Sequence, residues 1–301
     1  MPARNLAGIL VFIAVSFGFA YAIDFLVILP HAGDRVVFAL AAASRMYTPL
    51  AGAVVALLYE GYRVREGLRS IGLRRGRAGV VAASVLVPLA AYGVAVLASL
   101  LLGLRLRSLG ETMELLLGVG AELPLPAPLL LVLLLLQAIV VGTTVNALLA
   151  LGEEAGWRGY LLARLSPWLG FTWASVLAGL VWGLWHAPLV VLIGYNYSGI
   201  TGLTPLLAFL AFTVSGSLVL AMLRALSGTV IAPAVAHGVV NAVAGFAYAA
   251  VEGSPLIAPP AGLAASLGFL AVAAAVTLYA RQRGYKLALD ENPVDEPPEV
   301  Y

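Results

Sequence analysis

The sequence predicts an all-α fold, a polytopic integral membrane helical bundle of about eight transmembrane helices with both termini in the cytoplasm. Composition is the first reason, because 62% of the 301 residues are hydrophobic and only 11% are charged. Soluble domains carry about a quarter charged residues. The second reason is that the apolar residues form long uninterrupted stretches, with a mean hydropathy of +1.00 over the chain. We therefore expect a multi-pass protein of the cell (plasma) membrane.

Each expected span is an apolar stretch of about 18 residues or more, the length that crosses the hydrocarbon core of a bilayer. The spans are predicted at residues 6–29, 36–59, 79–103, 127–151, 171–194, 205–223, 229–251 and 261–280. The segment 104–126 mixes charged and apolar residues and is predicted to be a loop with a short interfacial helix. The acidic, proline-rich tail 290–301 is predicted to be disordered.

Arginine positions predict the orientation of these spans. The 60–78 connection carries Arg63, Arg65, Arg69, Arg74, Arg75 and Arg77. Connections rich in Lys and Arg stay in the cytoplasm, so this connection is expected inside. The chain ends and the 152–170 connection then also fall inside, and the outer connections hold only Arg35, Arg105 and Arg107.

Charge and cysteine content exclude several classes of function. A net charge of +2 is too small to predict nucleic-acid binding. The absence of cysteine excludes disulfides, a thiolate nucleophile and a cysteine metal site. Membrane lipids are expected partners, and no feature of the sequence indicates the oligomeric state.

Three polar motifs interrupt the apolar spans of the C-terminal half. The fourth span runs into EEAGWR at Glu153–Arg158, the fifth contains WGLWH at Trp182–His186, and the seventh contains HGVVN at His237–Asn241. Ionisable side chains inside a bilayer cost several kcal/mol and therefore indicate a functional site.

Helical spacing assigns different tasks to these side chains. Glu154 and Arg158 are four residues apart in the order that favours an ion pair on one helix face. Glu153 points about 100° away, so we expect it to be the reactive carboxylate. His237 and Asn241 share a face and suit the stabilisation of an oxyanion.

Small residues flank two of the motifs. Gly152 and Gly156 form one pair four residues apart, and Gly179 and Gly183 form another. Such pairs let helices approach closely, so we expect them to bring Glu153 and His186 together.

Together, the three motifs resemble those of the CAAX-protease and bacteriocin-processing family, also called Abi. Its E-E-x-x-x-R, F-x-x-x-H and H-x-x-x-N motifs occur in the same order on successive spans. The resemblance covers roughly residues 130–250. The one departure is Trp182, an aromatic residue where the family usually has Phe.

This resemblance implies an intramembrane endopeptidase that acts on a peptide or lipidated peptide near the cytoplasmic side of the membrane. It implies that Glu153 activates water with the help of His186, and that His237 and Asn241 bind the oxyanion, with Glu154, Arg158 and Trp182 in supporting positions. The expected organisation is three spans in residues 1–126, a catalytic core in 127–251, the last span in 252–289 and the tail in 290–301.

Metal dependence is open at this level, because the family has been described both as metalloproteases and as metal-independent glutamate proteases. Glu153, His186 and His237 are the ligands that a Zn²⁺ site would use. No H-E-x-x-H motif is present, and Asn241 is a poor zinc ligand but a natural oxyanion donor. We therefore favour a site with no cofactor. Because Glu153 lies near the cytoplasmic end of its predicted span, we expect a cavity that opens to the cytoplasm.

Structural interpretations compete with the catalytic one. Glu153 and Glu154 could instead be interfacial charges at the end of a span. His186 could be a histidine at a helix kink that is hydrogen-bonded to a backbone carbonyl. Asn241 could form a hydrogen bond between helices. The matching alternatives for the whole protein are a non-catalytic scaffold or immunity protein of the same fold, and a small-solute transporter. Elsewhere, Asp24 and Arg45 are expected to form a buried ion pair, and Asn146 to form an interhelical hydrogen bond.

Overall fold

The computed structural model describes residues 3–118 and 125–289, so the predicted tail 290–301 lies outside the described residues. Helices make up nearly all of this structure. Those before the gap are α1 (Ala3–Ile23), α2 (Arg35–Arg45), α3 (Thr48–Tyr59), α4 (Val64–Ser70), α5 (Ala78–Ala83), α6 (Leu86–Leu101) and α7 (Leu109–Leu117). Those after it are α8 (Ala127–Val141), α9 (Ala147–Glu154), α10 (Leu162–Trp185), α11 (Ala187–Ile193), α12 (Leu203–Ser227), α13 (Ile231–Ala250) and α14 (Leu263–Gln282). Short π-helical turns, Asp24–Ile28, Gly142–Asn146 and Ala155–Leu161, extend or join helices, and the two strands are β1 (Arg105–Leu106) and β2 (Val251–Glu252).

Within the described ranges, seven continuous helical segments are long and apolar enough to cross a membrane. The fourth, Ala127–Trp185, contains 59 residues. At about 1.5 Å per residue it would reach nearly three times across the roughly 30 Å hydrocarbon core. Gly170, with φ 71° and ψ 162°, interrupts it, so the predicted span 127–151 lies before this break and the predicted span 171–194 begins directly after it. The predicted all-α, multi-pass membrane fold is confirmed.

The predicted 152–170 connection is helical rather than a loop, up to the break at Gly170. The two arginines of this region, Arg158 and Arg164, do not lie in a water-exposed connection, because each forms an ion pair inside the bundle. Arg158 contacts Glu154 at 2.9 Å, and Arg164 contacts Glu60 at 2.5 Å. Glu153 therefore lies in the interior of a long helical run, several turns from its end.

Connections collect at the two ends of the bundle. At the basic end, formed by residues 60–77 and 228–230, the Val230 N–H donates to the Gly72 carbonyl at 3.0 Å. At the ladder end, formed by residues 102–108, 194–202 and 251–262, β1 pairs antiparallel with β2. Tyr197 ties two of the ladder-end connections together, because its hydroxyl donates to the Ala261 carbonyl at 2.9 Å.

The predicted interfacial helix in segment 104–126 is α7. Its first turn has a capping box, in which the Ser108 side chain accepts from the Glu111 N–H and the Glu111 side chain accepts from the Ser108 N–H. These contacts satisfy donors that the first turn of a helix leaves without partners.

A buried aromatic cluster joins the N-terminal helices to the C-terminal half. The Phe12 ring lies 5.4 Å from that of Trp157 and 5.1 Å from that of Tyr160. Trp157 in turn contacts Trp185 edge to face at 5.9 Å. The core therefore packs α1 directly against the segment that follows the two glutamates.

Candidate active site

A cavity of about 260 Å³ lies inside the bundle, and Glu153, His186, His237 and Asn241 all line it. These residues come from α9, from the break between α10 and α11, and from α13. The four residues that the motifs single out are thus brought to one place by three separate segments.

Glu153 is held by a contact that the sequence did not predict. The Trp182 indole N–H donates to Glu153 Oε2 at 2.6 Å, and the carboxylate is only 2% exposed. Sequence reasoning treated Trp182 as an aromatic substitute for Phe. The sequence did contain a clue to this contact, because the Trp182 side chain carries an N–H donor and the Phe that the family usually has at this position carries none.

Glu154 forms the predicted ion pair with Arg158, at 2.9 Å, and both side chains are fully buried. The same oxygen, Oε1, also lies 2.8 Å from His237 Nδ1. A carboxylate only accepts hydrogen bonds, so Nδ1 carries a proton and Nε2 remains for another partner. The sequence did not predict that Glu154 orients His237.

This cluster keeps several polar atoms without hydrogen bonds. Among the described residues, Glu154 Oε2, Arg158 Nε and Arg158 Nη2 have no partner although they are buried. The Arg158 guanidinium lies 4.4 Å from the centre of the Trp182 ring, which offers it a cation–π contact. Trp182 therefore touches Arg158 with its face and Glu153 with its N–H.

His186 lies at the break between α10 and α11, as expected if it is a helix-kink histidine hydrogen-bonded to a backbone carbonyl. Its Nδ1 lies 3.1 Å from the Trp182 carbonyl, which only accepts, so Nδ1 carries a proton and Nε2 is left for other chemistry. Pro188 lacks an N–H, so the break leaves carbonyls without helical partners. The Tyr21 hydroxyl donates to the Leu184 carbonyl at 2.9 Å, and the Arg45 guanidinium donates to the Trp185 carbonyl.

The N-terminal helices thus support the His186 break through a pair that was predicted. Arg45 Nε and Nη2 donate to the two Asp24 oxygens at 2.7 and 3.0 Å, which confirms this buried ion pair. Arg45 also lies 3.5 Å from the centre of the Trp185 ring. The first two spans therefore hold the backbone next to His186, although they carry none of the three motifs.

Asn241 is exposed and lies one helical turn from His237, as the motif spacing predicts. Asn146 forms an interhelical hydrogen bond, as expected, because its amide donates to the Gly238 carbonyl at 3.5 Å.

The glycine pairs bring helices close, but not the pair of helices that was predicted. A Cβ on Gly152 would lie 2.6 Å from the Met46 carbonyl oxygen, and one on Gly156 would lie 2.4 Å from Pro49. Gly179 would meet Val214 of α12 at 2.7 Å. Each glycine pair therefore docks its helix on a third element, and the cavity rather than direct packing unites Glu153 with His186.

The residues that the sequence offers for a Zn²⁺ site are Glu153, His186 and His237. Within residues 3–118 and 125–289, no group of three His, Asp or Glu side chains is arranged to hold a metal ion. Glu153, His186 and His237 line one cavity without forming such a group.

The cavity extends from Glu153 toward the ladder end. Its lining includes Tyr195, Asn196, Pro260 and Ala261, which all belong to ladder-end connections. The sequence placed Glu153 at the end of its span, which the structure does not. The helix continues beyond Glu153, and on its basic-end side Trp157 and Tyr160 are 0% exposed.

Aromatic side chains form much of the cavity wall. Phe38, Tyr92, Phe209 and Phe212 line it, and the His186 ring contacts Phe209 at 5.1 Å. Tyr195 stacks on His186 with ring planes 7° apart. Burial raises the pKa of the Tyr195 phenol above its ordinary value of 10.0, so its hydroxyl stays protonated at neutral pH. Apolar walls with a few polar groups are typical of a ligand-binding site.

Comparison with known proteins bears on the part of the chain that forms this site. Residues 125–243 match the family model described as type II CAAX prenyl endopeptidase, Rce1-like. This part of the chain is similar to the Rce1-like domain. The match confirms the resemblance inferred from the three motifs.

A curated relative of the Rce1-like domain gives a shorter match. A stretch of 46 residues is 46% identical to the CAAX prenyl protease 2 of Methanococcus maripaludis. That stretch covers 15% of the chain and 17% of the relative. The chain thus spans about a sixth of the length of the curated relative that it matches.

Proposed function

We propose that the protein is an intramembrane endopeptidase that hydrolyses a peptide bond in the cavity bounded by Glu153, His186, His237 and Asn241. The observation that carries this proposal is that one cavity inside the bundle gathers a carboxylate, two histidines and an amide from three segments. Residues 125–243 match the Rce1-like family, which is described as a family of endopeptidases, and this match also supports peptide-bond hydrolysis.

Glu153 is the general base in this proposal. It takes a proton from water while the water oxygen attacks the carbonyl carbon of the scissile peptide, which gives a tetrahedral oxyanion. The carbon–nitrogen bond then breaks, and the proton returns to the leaving amine. The products are a carboxylate and an amine, and no co-reactant besides water is needed. His186 assists by accepting a hydrogen bond from the water at Nε2, because its Nδ1–H is directed at the Trp182 carbonyl.

His237 and Asn241 stabilise the oxyanion. The Asn241 amide is a donor in any protonation state. His237 offers a donor at Nε2 only when both ring nitrogens carry protons, because Nδ1–H already donates to Glu154. The Glu154 carboxylate accepts from Nδ1–H and orients the ring, which leaves Nε2 for the oxyanion.

The proposed substrate is a peptide or lipidated peptide with apolar groups, because the walls of the cavity are aromatic. We propose that catalysis is independent of metal. What supports this is the donor set, since Asn241 suits an oxyanion and the described residues provide no group of three ligands.

The test is cleavage of a quenched peptide library, with and without prenyl groups, by the protein in proteoliposomes. Wild type is compared with Glu153→Gln and His186→Ala, each with and without a strong chelator. We expect wild-type cleavage that survives chelation and falls by at least about 100-fold in both variants. Glu66→Gln is the matched control, because Glu66 is exposed on α4 at the basic end.

Other outcomes separate the alternatives. Loss of cleavage on chelation with recovery on Zn²⁺ would overturn the metal-free mechanism. No turnover of any peptide would favour the non-catalytic scaffold. Solute flux that depends on Glu153, without cleavage, would favour the transporter.

A further inference from the structure

We infer that Asn196 is a substrate-binding residue of the active-site cavity, and that its side-chain amide forms hydrogen bonds with the main chain of the bound peptide. The identity of the occupant as a peptide rests on the proposed function. The position, the backbone conformation and the hydrogen bonding of Asn196, which lies outside the three motifs, carry the rest.

The connection between α11 and α12 supplies two neighbouring residues to the cavity. Tyr195 and Asn196 both line it, and Asn196 is exposed. The Tyr195 ring stacks on that of His186, with the ring centroids 6.4 Å apart. Neighbouring Cα atoms are about 3.8 Å apart. Asn196 therefore lies directly beside a side chain that contacts one of the reacting groups of the proposed mechanism.

Hydrogen bonds hold the backbone of this connection in place. The Tyr197 N–H donates to the Gly194 carbonyl at 2.8 Å, and the Ile200 N–H donates to the Tyr197 carbonyl at 3.0 Å. The Tyr197 side chain is buried, and its hydroxyl donates to the Ala261 carbonyl at 2.9 Å. Asn196 is thus presented on a backbone that is fixed before a substrate binds, which lowers the entropic cost of binding.

The backbone at Asn196 adopts a conformation that favours glycine. Its φ is 67°, and within the described ranges Ser198, at 51°, is the only other non-glycine residue with a positive φ. The same connection uses glycine with a positive φ at Gly194, Gly199 and Gly202. Non-glycine residues in this region are concentrated at active sites and ligand clamps. What asparagine adds over glycine at position 196 is its amide.

A purely local role does not account for this amide. An asparagine in a turn commonly accepts a hydrogen bond from the backbone N–H two residues further on. The Asn196 side chain forms no such bond, and it has no hydrogen-bond partner among residues 3–118 and 125–289. Its donors and its acceptor are therefore available to a molecule in the cavity.

The amide has the chemistry to bind the main chain of a peptide. It offers two N–H donors and one carbonyl acceptor, which complement the C=O and N–H of a peptide group. The cavity walls are largely aromatic, so a main-chain group without a partner there costs free energy. Because every residue carries the same main-chain groups, the Asn196 contact positions the peptide without selecting its side chains.

Steady-state cleavage of the quenched peptide library in proteoliposomes tests this contact. Asn196→Gly removes the amide and keeps a residue that adopts a positive φ without strain. We expect KM to rise by about three- to tenfold, as the loss of one neutral hydrogen bond predicts, with kcat within about twofold of wild type. Ser198→Gly is the matched control, because it makes the same backbone change at a residue outside the cavity lining, and it should keep the wild-type KM.

Binding to Glu153→Gln identifies the peptide atoms without relying on cleavage. Fluorescently labelled library peptides are titrated with Glu153→Gln and with Glu153→Gln that also carries Asn196→Gly, and anisotropy gives the Kd. Each peptide bond is then replaced in turn by an ester, which removes the N–H and weakens the carbonyl as an acceptor. We expect one or two esters to raise the Kd for Glu153→Gln by about three- to tenfold and to have little effect when Asn196→Gly is also present.

Three kinetic results would overturn the inference. Asn196→Gly could keep the wild-type KM, which would mean that the amide does not bind substrate. Equal rises of KM in Asn196→Gly and Ser198→Gly would assign the effect to the backbone of the connection. A fall in kcat without a rise in KM would mean that the amide acts only on the transition state.

The binding arm separates this inference from the proposed function. Peptide binding that weakens with Asn196→Gly, without cleavage by wild type, would support the contact and overturn the proposed hydrolysis. Cleavage by wild type that Asn196→Gly leaves unchanged would overturn the contact and support the hydrolysis. Esters that weaken binding equally with and without the Asn196 amide, or a failure of every library peptide to bind Glu153→Gln, would also overturn the contact.

Discussion

The Asp24–Arg45 and Glu154–Arg158 pairs both bury an arginine with a carboxylate, and they differ in how their other polar atoms are satisfied. Arg45 meets both oxygens of Asp24 and also donates to the Trp185 carbonyl. Glu154 and Arg158 share a single hydrogen bond, and three of their buried atoms have no hydrogen-bond partner among the described residues.

We interpret this difference as one between a structural pair and a pair that belongs to the proposed mechanism. Buried polar groups are normally satisfied, so exceptions in a native fold require an explanation. The complete pair fixes α2 against the break at His186. The incomplete pair lies beside Glu153 and His237, where polar atoms without partners surround the reacting groups of the proposed mechanism. Burial of an ion pair alone therefore does not indicate function.

The largest expected effect comes from removing the shared carboxylate of the incomplete pair. Glu154→Gln leaves Arg158 without its partner, which costs about 3–5 kcal/mol of stability. The folded fraction should also lose about 10- to 100-fold in cleavage, because His237 loses the group that orients it. Thermal unfolding in detergent and turnover per folded molecule measure the two effects.

Asp24→Asn is the matched change in the complete pair. It should reduce stability by a similar amount, again about 3–5 kcal/mol, while turnover per folded molecule stays close to wild type. Equal losses of turnover in the two variants would break the distinction between a structural and a functional pair.

A smaller effect is expected from the indole that connects the incomplete pair to Glu153. Trp182→Phe keeps an aromatic face for Arg158 but removes the donor to Glu153 Oε2. A hydrogen bond to a charged group contributes about 1.5–3 kcal/mol, so we expect kcat to fall by about tenfold or more with little change in KM.

Trp157→Phe is the control for this substitution, because the Trp157 indole N–H is buried and has no hydrogen-bond partner among the described residues. Trp157→Phe removes the same indole N–H group, and Trp157 lies in the same 59-residue helical segment as Trp182. A kcat for Trp182→Phe equal to that of Trp157→Phe would show that the contact with Glu153 has no part in catalysis.

The smallest effect is expected at an exposed ion pair, which extends the comparison to the surface. Hydrogen bonds from Arg105 and from the Ser108 N–H lower the pKa of Glu111 from 4.5 to about 2. A carboxyl with a lowered pKa stabilises the fold above its unfolded pKa and loses this effect as the pH falls through the folded value. Wild type should therefore have a slightly higher Tm than Glu111→Gln above pH 4.5, and the difference should vanish near pH 2. A Tm difference that is constant from pH 7 to 2 would contradict the ion pair as its cause.

The sequence by itself determined the class of fold and singled out four residues that line one cavity. Long apolar stretches need a bilayer, because their surface is too large to bury in a soluble domain of this size. The spacing of EEAGWR was enough to pair Glu154 with Arg158, since residues four apart share a helix face. Asp24 and Arg45 were also predictable partners, because two opposite charges at similar depth in a membrane stabilise each other.

Only the tertiary structure decided what each of these side chains touches. The donor from Trp182 to Glu153 joins residues 29 positions apart, and the contact of His237 with Glu154 joins residues 83 apart. Sequence periodicity reports faces within one helix and carries no information on how two helices rotate against each other. The end of the fourth span was misjudged for a related reason. Arg158 and Arg164 belong to a connection that was expected at the end of the span, whereas they are paired with Glu154 and Glu60 inside the bundle.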